Sequence, residues 1–142
     1  MSELRQRAIR LLARREHTRA ELTAKLMPHG TTDEIETVLN ELAASGLQSD
    51  ARFAASFVRS RSARLGSSSL RRTLRQKGVA DELIELQVAD LPGEIDRART
   101  IWQKKFPAAP TNRNEWARQA RFLQSRGFSS QVVCTILKEC EA

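Results

Sequence analysis

The sequence has few of the residues that form metal centres, disulfide frameworks or catalytic clusters. Its 142 residues include two cysteines and two histidines. Cys134 and Cys140 lie six positions apart, a spacing that gives neither a C-x-x-C motif nor a disulfide framework. We therefore expect free thiols on a helix, in keeping with a reducing cytosol. No cluster of thiols or carboxylates shares the spacing of His17 or His29, so the sequence predicts no bound metal.

Long apolar segments are also missing. The longest run without a charged residue is Gly127–Leu137, far shorter than the ~20 apolar residues of a membrane-spanning helix. The opening Met1-Ser2-Glu3 leads directly into a charged pattern and lacks the apolar core of a signal peptide. The sequence thus predicts a cytoplasmic protein that has no membrane partner.

Motifs that carry enzyme chemistry do not occur either. The sequence contains no G-x-x-x-x-G-K-[ST], no G-x-G-x-x-G and no G-x-S-x-G. These motifs bind phosphates or dinucleotides, or present a nucleophilic serine. We therefore predict no catalytic residue and no cofactor, and we do not expect an enzyme.

The sequence does contain a helical pattern that is cut into short segments. Glycine and proline separate stretches with apolar residues at i, i+3, i+4 and i+7, and almost nothing alternates at a period of two. Candidate helix starts are the spacings Thr18-x-x-Glu21, Thr31-x-x-Glu34 and Asn112-x-x-Glu115, with Ser49 and serines 67–69. The pattern predicts an all-α protein with helices near 3–15, 19–28, 33–45, 50–64, 68–77, 80–90, 94–106, 113–126 and 130–140.

The nine helices form three similar triplets, over residues 1–47, 48–93 and 94–142. The matched positions are Leu22, Leu26, Gly30, Ile35 and Val38 in the first triplet, Leu70, Leu74, Gly78, Leu83 and Leu86 in the second, and Leu123, Gly127 and Val132 in the third. A repeat of about 48 residues predicts stacked helical units, each too small to be stable alone. We expect three tandem three-helix repeats in an elongated, curved rod, with a compact bundle as the alternative.

Positive charge is distributed unevenly along the chain. The sequence has 24 Lys and Arg against 17 Asp and Glu, a formal net charge of +7. Residues 1–47 are balanced, and the excess lies in the second and third triplets. Between Arg52 and Lys77 there are eight basic residues and no acidic one. Because like charges repel, this segment indicates an anionic partner, and the preference for arginine suits phosphate contacts that weaken with salt.

Helical projection places many of these cations away from the core. In the fifth helix Arg71, Arg72 and Arg75 lie opposite the apolar stripe, whereas Arg61 and Arg64 of the fourth helix fall near theirs. Phe122 lies beside the arginines of the eighth helix, where it either anchors a partner or packs against the C-terminal helix. A solvated helix face is the ordinary alternative for any one arginine. The predicted interaction residues are Arg52, Arg59, Arg61, Arg64, Arg71, Arg72, Arg75, Lys77, Arg118, Arg121 and Phe122.

Three separated blocks of the sequence resemble the bacterial regulatory protein family RecX. They are AIRLLARREHTRAEL at 8–22, LAASGLQSDARFAASFVRSR at 42–61 together with LRRTLRQKGV at 70–79, and RFLQSRGFS at 121–129. The resemblance extends over nearly the whole chain. It implies three tandem three-helix repeats and a modulator of the RecA recombinase that lodges in the groove of the RecA–DNA filament.

Within that resemblance, the chain is expected to restrain filament extension, ATP hydrolysis and strand exchange in DNA repair and recombination. Its expected partners are the RecA filament and the phosphate backbone of single- or double-stranded DNA, which it would bind weakly and without sequence preference. A monomer is expected. The interaction face would comprise Arg59, Arg71, Arg72, Arg75, Arg118 and Arg121.

The main alternative is a helix-turn-helix or Myb-like repeat protein that reads DNA without RecA. Three-helix units of this size are common major-groove readers. Myb-like repeats would carry several tryptophans in each unit, whereas Trp102 and Trp116 both lie in the third triplet. The third helices of the first two triplets also begin with Asp33-Glu34 and Asp81-Glu82, which suits helix capping better than contacts to base edges.

Overall fold

The computed structural model describes residues 2–139, and of residue 139 only the backbone. Cys140 lies outside the described residues, whereas Cys134 is a half-buried free thiol on the last helix. Within the described part the chain forms nine α-helices and no strand, which confirms the all-α prediction. The helices are α1 Glu3–Arg14, α2 Arg19–Leu26, α3 Thr32–Ala44, α4 Asp50–Arg61, α5 Ser67–Gln76, α6 Asp81–Ala89, α7 Glu94–Lys105, α8 Arg113–Ser125 and α9 Ser130–Glu139.

The helix starts follow the predicted caps with one exception. Thr18 and Thr31 form complete capping boxes with Glu21 and Glu34. The side chains of Asn112 and Ser49 accept hydrogen bonds from backbone N–H groups of the first turns of α8 and α4. Serines 67–69 were wrongly predicted as caps, because α5 already begins at Ser67. Glu94 of α7 caps this helix instead, since its Oε1 accepts from the Ser67 backbone N–H at 3.0 Å.

The buried positions of α6 differ from the predicted repeat. Leu83 is half-buried and Leu86 is 64% exposed, whereas Ile84 and Val88 are buried. In α9, likewise, Val133 is buried and Val132 is half-buried. The true match therefore joins Ile35, Ile84 and Val133 at a spacing of 49 residues. Because Leu83 and Ile84 are both apolar, the sequence alone fits a repeat that buries either residue. In the structure Ile84 is the buried one.

The contacts of the described residues divide into two compact units. Unit 1 contains the residues up to Phe57 together with Leu74–Glu85, and unit 2 contains Val58–Thr73 together with the residues from Leu86 onward. The main apolar cluster of unit 1 comes from α1, α2 and α3, and that of unit 2 from α7, α8, the α8–α9 turn and α9. The boundaries of the three repeats and their stacking into a rod stay predictions.

The same type of joint occurs once in each unit. In unit 1, the Thr18 hydroxyl donates to the Lys77 carbonyl at 2.7 Å, and Gly78 lies so close to Ala20 that a Cβ would be 2.5 Å from the alanine methyl. In unit 2, the Gly66 N–H donates to the Arg126 carbonyl at 2.6 Å, and a Cβ on Gly127 would overlap the Ser69 side chain. The two glycines are 49 residues apart. In unit 1 the turn before α6 thus packs onto the start of α2. In unit 2 the turn before α9 packs onto the start of α5 in the same way.

Candidate interaction surface

The basic segment from Arg52 to Lys77 contains cations in different environments. In unit 1, Arg52 is exposed, but its guanidinium is bonded to other parts of the chain: its Nε lies 2.6 Å from Glu16 Oε1, and its Nη atoms donate to the carbonyls of Gly46 and Leu47. These bonds hold the α3–α4 turn. Lys77 Nζ is 3.6 Å from Glu21 Oε2. Arg75 is exposed and bonds Asp81 at 2.8 Å, an interaction that raises the pKa of Arg75.

Glu21 forms ion pairs with two cations, Arg15 and Lys77, beside the contact between Thr18 and Lys77 in unit 1. Burial would raise its pKa, but a hydrogen bond from Arg15, the Thr18 backbone N–H and the charge of Lys77 together lower the pKa to about 2. The Arg15 Nη2–Glu21 Oε2 distance is 3.1 Å, and the glutamate side chain is 14% exposed. A carboxylate in this environment keeps its charge at neutral pH and neutralises part of the nearby positive charge. Lys77 therefore serves the fold as well as the basic segment.

The cations of the segment that belong to unit 2 lie at the surface. Arg59, Arg61, Arg64 and Arg72 are exposed, and Arg71 is half-buried. Among the described residues no carboxylate lies within ion-pair distance of Arg59 or Arg64, and Arg72 donates a long 3.4 Å hydrogen bond to Ser69. Along α5 itself, Leu70 and Leu74 are fully buried while Arg72 and Arg75 are exposed, as helical projection predicts, whereas Arg71, predicted on the same outward side, is half-buried.

A buried arginine fixes the chain that carries these cations. Arg97 of α7 is 7% exposed and donates from Nη1 to Glu94 Oε1 at 2.8 Å and to the Ser67 hydroxyl at 3.0 Å. Its Nη2 donates to the carbonyls of Ser62 and Leu65. Burial lowers the pKa of Arg97, whereas the charge of Glu94 acts to raise it. Arg97 thus closes the α4–α5 connection, and its charge lies in the interior of unit 2 and not on the surface.

Unit 2 also contains an aromatic and cationic cluster around α8. Phe122 is half-buried and meets Phe106 edge-to-face, with ring centroids 5.3 Å apart. Arg126 and Lys105 lie over Phe122, at 4.9 and 5.7 Å from its centroid, and Arg118 lies 5.4 Å from that of Phe106. Lys105 and Arg126 were not predicted as site residues. The sequence feature that could have identified them is the presence of Phe106 and Phe122 within the basic run from Arg97 to Arg126.

A buried glutamine holds the loop between α7 and α8. Gln119 of α8 accepts a hydrogen bond from Trp102 Nε1 at 2.7 Å and donates to the Ala108 carbonyl at 3.2 Å. It therefore ties α7, α8 and the loop between them. Of the other predicted residues in α8, Arg121 is exposed, and Arg118 is exposed with Glu115 Oε1 at 3.5 Å.

The histidines have no metal-site geometry. His17 is buried, with Nδ1 3.0 Å from the Arg15 carbonyl and Nε2 3.3 Å from Lys25 Nζ. Burial lowers the pKa of His17, so the ring is neutral at pH 7 and accepts a hydrogen bond from Lys25 when Nδ1 carries the proton. In the part of the chain that the structure describes, no three His, Cys, Asp or Glu residues are grouped as a metal site requires. No helix of that part is both long and apolar enough to span a membrane.

Comparison with known proteins gives one consistent family. Models of the first, second and third three-helix domains of RecX match residues 5–42, 49–86 and 93–137. Regulatory protein RecX of Leptothrix cholodnii is 47% identical over 137 residues, which cover 95% of this chain and 87% of that protein. Regulatory protein RecX of Chromobacterium violaceum is 42% identical over 135 residues, or 94% and 88% of the two chains.

A solved structure has the same fold. The crystal structure of RecX from Lactobacillus salivarius superimposes with a TM-score of 0.83, covering 98% of this chain and 95% of that one. Its sequence is 23% identical, so this likeness concerns the fold alone.

Proposed function

We propose that this chain, which belongs to the RecX family of regulatory proteins, binds the RecA–DNA filament and restrains its ATP hydrolysis and strand exchange. The family name supports RecA as the regulated protein, and the role would lie in DNA repair and recombination in the cytoplasm. We further propose that the chain acts as a monomer without catalysing a reaction, with repeats at 1–47, 48–93 and 94–142.

The observation that carries the proposal is the set of arginines left exposed by the fold between Arg59 and Arg75. No acidic residue interrupts this stretch of sequence. The folded chain thus retains a concentration of positive charge outside its core. A RecA–DNA filament offers the polyanion that such a surface attracts, because its DNA carries a phosphate at every nucleotide.

The interaction face in this proposal is built from exposed cations together with the half-buried Arg71 and Phe122. Arg59, Arg71, Arg72 and Arg75 contribute from α4 and α5, with Arg61 and Arg64 beside them, and Arg118, Arg121 and Phe122 contribute from α8. Arg52 and Lys77 contribute through the fold, because their side chains are bonded to the α3–α4 turn and to Glu21. Within helix α5 the outward cations follow one side of the helix, as a contact with a continuous phosphate backbone requires.

The test is charge reversal at Arg71, Arg72 and Arg75. Replacing all three by Glu should abolish inhibition of the RecA ATPase on single-stranded DNA while the circular dichroism spectrum keeps its helical signal. The matched control is Arg7→Glu with Arg10→Glu and Arg14→Glu in α1. Each Arg→Glu change removes two charges, so both triple variants fall from +7 to +1. Equal inhibition by the α5 variant and the wild type would refute the proposed face.

Direct reading of base edges is not supported by the third helices of the first two triplets. The first turns of α3 and α6 carry acidic residues, including Glu34, which accepts the Thr31 N–H as part of a capping box. The pKa of Glu34 is lowered by that backbone bond. A carboxylate kept charged at the start of a helix repels phosphate. We therefore favour backbone contacts over major-groove reading.

A further inference from the structure

A cluster of three cations in unit 2 lies on aromatic rings. It consists of Lys105, Phe106, Arg118, Phe122 and Arg126, and we call it the Phe122 cluster. The cations lie 4.9 to 5.7 Å from the ring centroids, within the range of cation–π attraction. The two rings meet edge-to-face at an interplanar angle of 90°.

The rings hold together charges that would otherwise separate. Lys105 and Arg126 both lie over Phe122, so their charged groups are at most about 11 Å apart, from the two centroid distances. Like charges repel, and the attraction of each cation to the aromatic ring opposes that repulsion. Lys105 and Arg126 are thus positioned by an uncharged ring, which leaves their positive charge in place.

Carboxylates neutralise little of this charge. Among the described residues the acid nearest to the cluster by an ion pair is Glu115, at 3.5 Å from Arg118. In the sequence, Glu115 is also the one acidic residue between Arg97 and Arg126. Arg121 adds a further exposed cation on α8. A group of several cations from the end of α7 and from α8 matches a polyanion better than a single acidic side chain.

We propose that the Phe122 cluster is a binding site for the phosphodiester backbone of nucleic acid, in which Phe106 and Phe122 are positioning residues for Lys105, Arg118 and Arg126. This deepens the proposed function, on which it rests for the presence of DNA in the filament. Phe122 also packs against the apolar cluster of unit 2 that includes residues of α9, which agrees with the packing role expected from the sequence. It contacts Phe106 and two cations, and its effect on a ligand passes through those cations.

The test measures DNA binding by the whole chain without RecA. Anisotropy of a labelled 20-nucleotide oligo(dT), and of a duplex of the same length, is recorded between 50 and 200 mM salt. Each lost phosphate contact on a single strand reduces the slope of log K against log salt by about 0.7. The double variant Lys105→Gln with Arg126→Gln should therefore lower that slope by about 1.4 and weaken binding at 50 mM salt. Loss confined to one of the two DNA forms identifies that form as the ligand.

The positioning role is tested by Phe122→Leu, which keeps an apolar side chain but removes the ring. It should weaken oligo(dT) binding three- to tenfold with an unchanged helical signal. Phe53→Leu is the matched control, because Phe53 belongs to a different aromatic pair, formed with Phe57 in unit 1. Wild-type affinity and salt slope in both cluster variants would overturn the inference. Loss of RecA-filament binding with normal oligo(dT) binding would overturn it too, but would leave the proposed function standing.

Discussion

Arg97→Met tests whether the buried guanidinium holds the α4–α5 connection together. The substitution keeps an unbranched apolar stem and removes the donors to Glu94, Ser67 and the carbonyls of Ser62 and Leu65. A buried carbonyl left without a donor costs about 1–3 kcal/mol. Loss of one partner of a fully buried ion pair costs about 3–5 kcal/mol. The side chain of Glu94 is 32% exposed and keeps its bonds to Ser67, so its share is smaller.

Arg97→Met also removes a buried charge, which offsets part of these costs. We therefore expect the unfolding free energy to fall by about 3 kcal/mol. This is a large fraction of the 5–15 kcal/mol typical of a folded domain, and it should lower Tm by about 10 °C. Urea denaturation followed by circular dichroism measures the change as a shift in midpoint at constant slope.

Arg99→Met is the control for this measurement. Arg99 lies on the same helix and forms an ion pair of 3.0 Å with Asp96, whose side chain is 75% exposed. A surface pair of this kind is worth less than about 1 kcal/mol. If Arg97→Met and Arg99→Met change the unfolding free energy by the same amount, the proposed role of the buried network is wrong.

Two further predictions concern the joints and the turns. Because the pKa of Glu21 falls to about 2 on folding, stability present above pH 4.5 should decline between pH 4.5 and 2, by at most about 3 kcal/mol. Urea titrations at stepped pH should show this decline weakened in Glu21→Gln. Gly127→Ala should cost more than 2 kcal/mol, since φ is +96° and the methyl would overlap Ser69. Gly46→Ala, at φ +80° with open space around it, should cost only about 1 kcal/mol; equal costs in thermal denaturation would contradict the packing argument.

Local signals were sufficient to predict the helices. Apolar spacing, capping residues and glycines placed every boundary in the described residues within three positions. The errors arose where tertiary contacts decide. Leu83 and Ile84 are adjacent apolar residues, so the sequence alone does not select which of them is buried. Ser67 looks like a cap in isolation, but Glu94, 27 residues later, supplies the cap.

The candidate surface was predictable only as far as one helix determines it. Projection correctly separated Leu70 and Leu74 from the outward Arg72 and Arg75. It does not detect that Arg97 is buried against the α4–α5 connection more than 30 residues earlier. Projection does not detect the ion pair between Arg52 and Glu16, 36 residues away, for the same reason. Charge counts along a sequence therefore overstate the charge that a surface presents.

Regulation of RecA by this chain is our main proposal. The most direct measurement is a titration of the wild-type chain into RecA hydrolysing ATP on single-stranded DNA, beside anisotropy on the same DNA without RecA. We expect inhibition at less than one chain per RecA, with weak DNA binding that declines as salt rises. Undiminished ATP hydrolysis, together with tight binding to one duplex sequence, would contradict it.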